Sequence, residues 1–180
     1  MTHPPPTASE IERAIRNIPD FPKTGIQFKD ITPVLADSRL FSASIELLTD
    51  SFKPGEVDAV VGIDARGFIF AAAAAVQLRA GFVPVRKKGK LPYQTHEQQY
   101  DLEYGTATVA VHVDALKPGS RVLLIDDLLA TGGTAEATAK LAESLGGEIA
   151  GLGFVVELDF LNPRAKLTQY DVFSLLHYDK

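Results

Sequence analysis

The amino-acid sequence predicts an α/β protein with a mostly parallel central sheet flanked by helices. Short apolar runs at 57–63, 81–85, 121–125, 149–157 and 172–177 read as strands buried on both faces. Helix-forming stretches at 67–78 and 134–145 lie between them and can return the chain to the same sheet edge. Pro54-Gly55, Pro118-Gly119 and Gly146-Gly147 punctuate the alternation. With 180 residues, 46% of them hydrophobic, the chain suits one globular domain spanning 1–180.

Each element has a local reason. Residues 1–7 are polar and proline-rich, so they are expected to be disordered, and they carry no signal-peptide pattern. Ser9 and Glu12 have capping-box spacing, and Ile11, Ala14, Ile15 and Ile18 recur at helical intervals until Pro19 stops them. Residues 20–33 scatter Phe21, Ile26, Phe28 and Ile31 among prolines and glycines and read as an ordered loop. Residues 39–52 form a helix with Leu40, Ile45, Leu47 and Leu48 inward. The alanines at 71–75 allow the helix over 67–78 to lie close on a sheet. Residues 87–100 are polar without a clear period, whereas 106–113 alternate and are rich in β-branched residues, as a strand requires. The helix over 134–145 closes on Gly146-Gly147.

Composition excludes several classes. A net charge of −5 argues against a general nucleic-acid binder. The absence of cysteine rules out disulfides and thiolate metal sites and is compatible with a cytoplasmic protein. The greasy segment 67–78 is too short to span a membrane.

In such folds ligands bind beyond the carboxyl ends of the strands, so motifs placed just after strands matter most. The segment 122–134 is an apolar run, an acid pair (Asp126-Asp127), a small loop with glycines at 132 and 133, and a helix start. Amides of Ala130, Thr131, Gly132, Gly133 and Thr134 at a helix N-terminus suit a phosphate. Carboxylates repel phosphate, so Asp126 and Asp127 fit better as acceptors from two ribose hydroxyls, and one could assist a magnesium ion through water. Acids alone would be an ordinary solvated turn; acids, loop and helix in this order are far more specific. No Gly-Lys-Ser/Thr follows, so this is not a Walker loop, and Gly151-Leu152-Gly153 lacks the third glycine of a dinucleotide fingerprint and reads as a close-packing site. Arg66, alone a surface arginine beside a helix start, could hold a second anion. The run Arg86-Lys87-Lys88-Gly89-Lys90 places four of the chain's 18 basic residues together. It is either a solvated turn or a clamp for a highly charged leaving group. His96 is followed four residues later by Tyr100, so it forms no zinc helix, and His3, His112 and His177 read as surface or structural.

The segment 122–134 resembles the ribose-phosphate signature of the type I phosphoribosyltransferases. In the version Asp126-Asp127-Leu128-Leu129-Ala130-Thr131-Gly132-Gly133-Thr134 it is similar to the family's adenine-specific members. Four further segments carry the same likeness: Phe21-Pro22 through Phe28-Lys29-Asp30-Ile31-Thr32-Pro33, Gly62 through Ala65-Arg66-Gly67-Phe68, Arg86 through Lys90-Leu91-Pro92, and Tyr100 through Gly105. The resemblance implies the type I phosphoribosyltransferase fold, with a small N-terminal base-binding hood over 8–35 and a flexible lid over 87–100. It implies the magnesium-dependent reaction of adenine with phosphoribosyl pyrophosphate to give AMP and pyrophosphate, in a cytoplasmic homodimer without nucleic-acid or membrane partners.

By this likeness residues 130–134 hold the 5′-phosphate, and Asp126 and Asp127 face the ribose. Arg66 and Lys90, helped by Lys87, contact pyrophosphate. Gln27, Phe28, Lys29 and Leu128 bound the base, with Lys29 replacing an arginine common in the family. Glu103 is the acid/base residue, Tyr104 its neighbour, and the Asp64–Ala65 peptide bond is cis. No residue is assigned as a direct metal ligand. Two other readings stay open: a transferase for another base such as xanthine or orotate, and a non-catalytic sensor of phosphoribosyl pyrophosphate, for which the N-terminal 20 residues are too few to form a DNA-binding module.

Overall fold

Chain order in the computed structural model, which describes residues 4–101 and 105–180, begins with a small helical and hairpin unit. The chain divides into two compact units, Met1–Leu47 and Leu48–Lys180.

In the first unit, α1 (Ala8–Ala14) is capped two residues earlier than Ser9 and Glu12 suggest. The Glu10 carboxylate accepts the Thr7 backbone N–H at 2.9 Å and the Thr7 hydroxyl at 3.2 Å. Ile15 is the C-cap, and the helix stops there because the next four residues are recruited into a hairpin. Strand β1 (Arg16–Pro19) pairs antiparallel with β2 (Gln27–Asp30), Ile18 opposite Phe28. Helical spacing of Ile18 was therefore misleading, and the loop expected over 20–33 contains a strand. Asp20 tightens the hairpin by accepting the Gly25 N–H at 2.7 Å. A one-turn helix α2 (Thr32–Ala36) and then α3 (Ser38–Thr49) follow, the division between units falling within α3.

The second unit holds β3 (Ala59–Ile63), α4 (Gly67–Leu78), β4 (Gly81–Lys87), β5 (Thr95–Asp101), β6 (Thr106–His112), β7 (Arg121–Leu129), α5 (Gly133–Ser144), β8 (Glu148–Leu158) and β9 (Val172–Tyr178). The sheet order is β5-β6-β4-β3-β7-β8-β9. The five strands from β4 to β9 run parallel, and the β5–β6 hairpin is antiparallel at one edge. Half of the lid segment expected over 87–100 is thus strand β5, with a seven-residue ladder to β6. Thr-His-Glu-Gln-Gln-Tyr-Asp hid it, because a polar edge strand shows no apolar alternation.

Alternation along the inner strands sorts the helices. Ala59, Val61, Val83, Val85 and Val122 cluster with Ala137, Leu141 and Ala142 of α5. Gly62, one residue out of phase, faces Ala71 of α4 and Phe82. The helices therefore cover opposite faces of the sheet, as parallel strands demand. Alanines 71, 74 and 75 of α4 are all buried. Gly153 is a close-packing site as expected: a Cβ there would sit 2.7 Å from the Phe173 ring.

Candidate active site

The apolar run that announces β7 ends at Ile125, but the strand does not. Main-chain pairing with β8 continues through Asp126↔Phe154 to Leu129↔Glu157. Asp126 and Asp127 are consequently strand residues, only 9% and 7% exposed, rather than loop acids. Asp126 accepts the Asp127 backbone N–H at 2.9 Å, and Asp127 pairs with Arg66 Nε at 2.7 Å. Burial, then the neighbouring Asp127 charge, hold the Asp126 carboxyl well above the usual carboxylate range. Burial also raises Asp127, with Arg66 opposing the shift. Gly67 makes this possible, because a Cβ on it would overlap the Asp126 carboxylate. Sequence reasoning did not single out Gly67; its place directly after Arg66 at a helix start was the available signal.

The following loop turns on Gly132, the N-cap of α5, with φ 78° and ψ −12°. An L side chain is disfavoured there twice over: the left-handed backbone favours glycine, and an added Cβ would overlap the Pro163 carbonyl oxygen. The Gly132 carbonyl accepts the Glu136 N–H at 2.9 Å and so starts the helix. The amides of the first turn have no intrahelical acceptor and leave a partial positive charge at the loop.

A cavity of about 390 Å³ opens over this loop. Asp126, Asp127, Leu128, Ala130, Thr131, Gly132 and Thr134 line it from β7 and α5, Asp64, Ala65 and Arg66 from the β3–α4 turn, and Arg86 and Lys87 from the end of β4. Gly133 is buried at the helix start and is not part of the wall. Lys90 does not line the cavity either. It is exposed in a turn, where its N–H donates to the Lys87 carbonyl at 3.1 Å and its own carbonyl accepts from Arg86 Nη1 at 3.1 Å. Arg86 does line the cavity, with its Nε 2.9 Å from Asp64 Oδ2. Tyr100 and Val109 line it from the edge hairpin. They were illegible in sequence because strand pairing brings them there. The Asp64–Ala65 peptide bond is cis, as the resemblance implies.

Gln27, Phe28 and Lys29 lie side by side on β2 in the Met1–Leu47 unit. Phe28 meets Phe21 edge-to-face with centroids 5.1 Å apart. Lys29 Nζ donates to Asn17 Oδ1 at 2.7 Å, and burial lowers its pKa despite Glu12. Glu103, Tyr104 and His3 lie outside the described residues. Among the described residues, no helix is long and apolar enough to cross a membrane.

The family model for the phosphoribosyl transferase domain matches residues 29–175. The adenine phosphoribosyltransferase of Acidobacterium capsulatum is 55% identical over 170 residues, 94% of this chain and 94% of that protein. That of Acidothermus cellulolyticus is 55% identical over 174 residues, covering 96% of this chain and 98% of its own length. Among solved structures, adenine phosphoribosyltransferase from Rhodothermus marinus superposes with a TM-score of 0.91 at 52% identity, over 95% of this chain and 98% of that one. The Saccharomyces cerevisiae enzyme, complexed with an imino-altritol bisphosphate and adenine, superposes with a TM-score of 0.89 at 40% identity, over 94% and 98%.

Proposed function

The chain belongs to the adenine phosphoribosyltransferases, pentosyltransferases of the phosphoribosyl transferase domain family, and we propose how its residues divide the reaction. Residues Ala130, Thr131, Gly132, Gly133 and Thr134 hold the 5′-phosphate of phosphoribosyl pyrophosphate through main-chain N–H groups and two hydroxyls. Asp126 and Asp127 accept the ribose hydroxyls. Arg66, Arg86 and Lys87 face the pyrophosphate, and Lys90 reaches it only by leaving its exposed turn. Adenine lies against Phe28 and Leu128, with Gln27 and Lys29 presenting main-chain groups to its edge. A carbonyl facing the 6-amino group of adenine opposes the 6-oxo group of guanine, and an unpaired polar group makes that choice strong.

Adenine attacks the anomeric carbon while pyrophosphate leaves. Positive charge grows on the ribose and negative charge on the leaving group, and Arg66, Arg86 and Lys87 stabilise the latter electrostatically. Glu103 shifts a proton at the purine ring, a contribution typically worth about 10²–10⁴-fold, with Tyr104 its neighbour in the chain. One carboxylate of the Asp126-Asp127 pair would assist a magnesium ion through water. When bound, that ion neutralises developing phosphate charge. Homodimer assembly and a cytoplasmic location complete the reading.

The observation that carries this division is the buried acid pair beside the Gly132 cradle. Its test is incubation with magnesium, phosphoribosyl pyrophosphate and each purine separately, together with a crystal soaked in AMP. AMP from adenine alone, with its phosphate against residues 130–134, is expected. A phosphate bound elsewhere would remove the assignment of the loop.

A further inference from the structure

The phosphate loop has a wall behind it. The Pro163 carbonyl occupies the space where a Gly132 side chain would begin, and Lys166 Cβ is 3.6 Å from the same point. Both residues belong to a single 3-10 turn, Pro163–Lys166. So short a turn cannot hold its own position. It is bolted down by Arg164, whose Nε and Nη2 donate to the two carboxylate oxygens of Glu157 at 2.8 and 2.9 Å. Arg164 Nη1 donates to the Val172 carbonyl at 3.0 Å, and the Ser174 hydroxyl donates to Glu157 Oε2 at 2.6 Å. Glu157 is 2% exposed and pairs across the sheet with Leu129, the residue just before the loop. Residue 157 thus serves both sides of the loop, its main chain pairing with the entry and its carboxylate holding the rear wall. The mechanism itself makes no use of this buried ion pair.

We propose that Glu157 and Arg164 are positioning residues that hold the Pro163–Lys166 turn against Gly132 and so set the loop amides for the donor's 5′-phosphate. The planar fork of arginine is required, since lysine cannot bind both carboxylate oxygens and the Val172 carbonyl at once. A cation site is the competing use of this corner, because Glu157, Asp159 and His177 offer ligand atoms within 4.8 Å of one another. Both Glu157 oxygens are already engaged by a guanidinium, which repels a cation. Burial pushes the Glu157 carboxyl up, but its hydrogen bonds to Arg164 and Ser174 outweigh this and keep it below its ordinary value.

The proposal rests on the ribose-phosphate reading of the loop. Ribose 5-phosphate binding to the full chain is the direct probe, measured by calorimetry beside steady-state kinetics. Removing one partner strands a buried charge and can unfold the protein, so the main variant is Glu157→Met with Arg164→Met, which removes both charges at similar volume. The dissociation constant for ribose 5-phosphate and the KM for phosphoribosyl pyrophosphate should rise by about 10- to 100-fold, as misplacement of a binding loop does. The KM for adenine should stay within about 2-fold. Arg164→Lys, which keeps the charge, should give an intermediate loss and faster amide exchange confined to the peptide carrying residues 130–134; it serves as the test if the double variant does not fold. Wild-type binding with unchanged affinity and exchange in these variants would overturn the clamp alone. Wild-type protein that does not bind ribose 5-phosphate would overturn the loop assignment and the clamp together.

Discussion

Two strand-turn-helix units meet in the cavity, and they offer an anion different groups. The β7–α5 turn uses main chain: Gly132 takes a left-handed conformation at the N-cap, and no cationic side chain intervenes between Leu129 and Thr134. The β3–α4 turn uses a side chain: its N-cap is Arg66, in ordinary right-handed geometry at φ −73° and ψ −31°. Amides cannot move away from a bound phosphate, whereas an arginine can exchange partners, and here Arg66 is already engaged with Asp127 at 2.7 Å. In the proposed division, the phosphate retained through the reaction would meet the rigid site and the departing pyrophosphate the adjustable one. Each turn needs a glycine where the other element presses: Gly132 against Pro163, Gly67 against Asp126.

The largest break of this contrast is Gly132→Ala. Left-handed strain plus overlap with the Pro163 carbonyl should cost on the order of 3 kcal/mol and lower Tm by roughly 10 °C. AMP formation should fall to background; a variant with normal donor KM would show that the main chain of this turn does not hold the phosphate. Arg66→Met should lower kcat/KM by about 10²-fold, the usual scale for one preorganised electrostatic group. Ribose 5-phosphate, which has no pyrophosphate, should bind this variant nearly as before, and a large loss of that affinity would contradict the split between the two turns.

Asp126→Asn sharpens the comparison through pH. A carboxyl raised in the native state binds more protons folded than unfolded. Its stabilising effect is therefore present below the unfolded value of 3.8 and is lost as pH rises toward the elevated native value. Asparagine keeps the acceptor for the Asp127 N–H without that titration. The variant should be more stable than wild type at neutral pH by about 1 kcal/mol, or roughly 3 °C, while losing activity. The Tm difference should widen from pH 4 upward, and a difference that is flat with pH would refute the buried-proton description. Smallest of the four is Thr138→Val on α5, where a fully buried hydroxyl finds no hydrogen-bond partner among the described residues. Tm should rise by about 1–3 °C with kinetics unchanged, since relief of an unsatisfied buried donor is worth about 1 kcal/mol or less after the loss of shape match. A fall in Tm would mean the hydroxyl is satisfied.

Most inner strands and both sheet-covering helices are legible in the residues, because a strand buried on both faces must be apolar throughout and a helix must show its period. Segments without a one-sided environment were not legible. Strand β5 is polar because it is an edge, and Ile15 and Ile18 fit a helical stripe only until the hairpin claims residues 16–19. The phosphate loop was readable, since acids, glycines and a helix start are adjacent in the chain. Arg86 and Lys87 line the cavity and Lys90 does not, because a run of basic residues says nothing about which one the strand end turns inward.

By itself the chain determined the alternation of strands and helices, the acid pair, the glycine loop and the family they mark, since each is a matter of local order. Only tertiary structure decided that Asp126 and Asp127 are buried strand residues with raised carboxyl pKa, that Arg66 closes on one of them, and that the Pro163 carbonyl backs Gly132. Those relations join residues 30 to 60 positions apart, and they exist because parallel pairing of β3, β7 and β8 stacks three strand ends at one edge of the sheet.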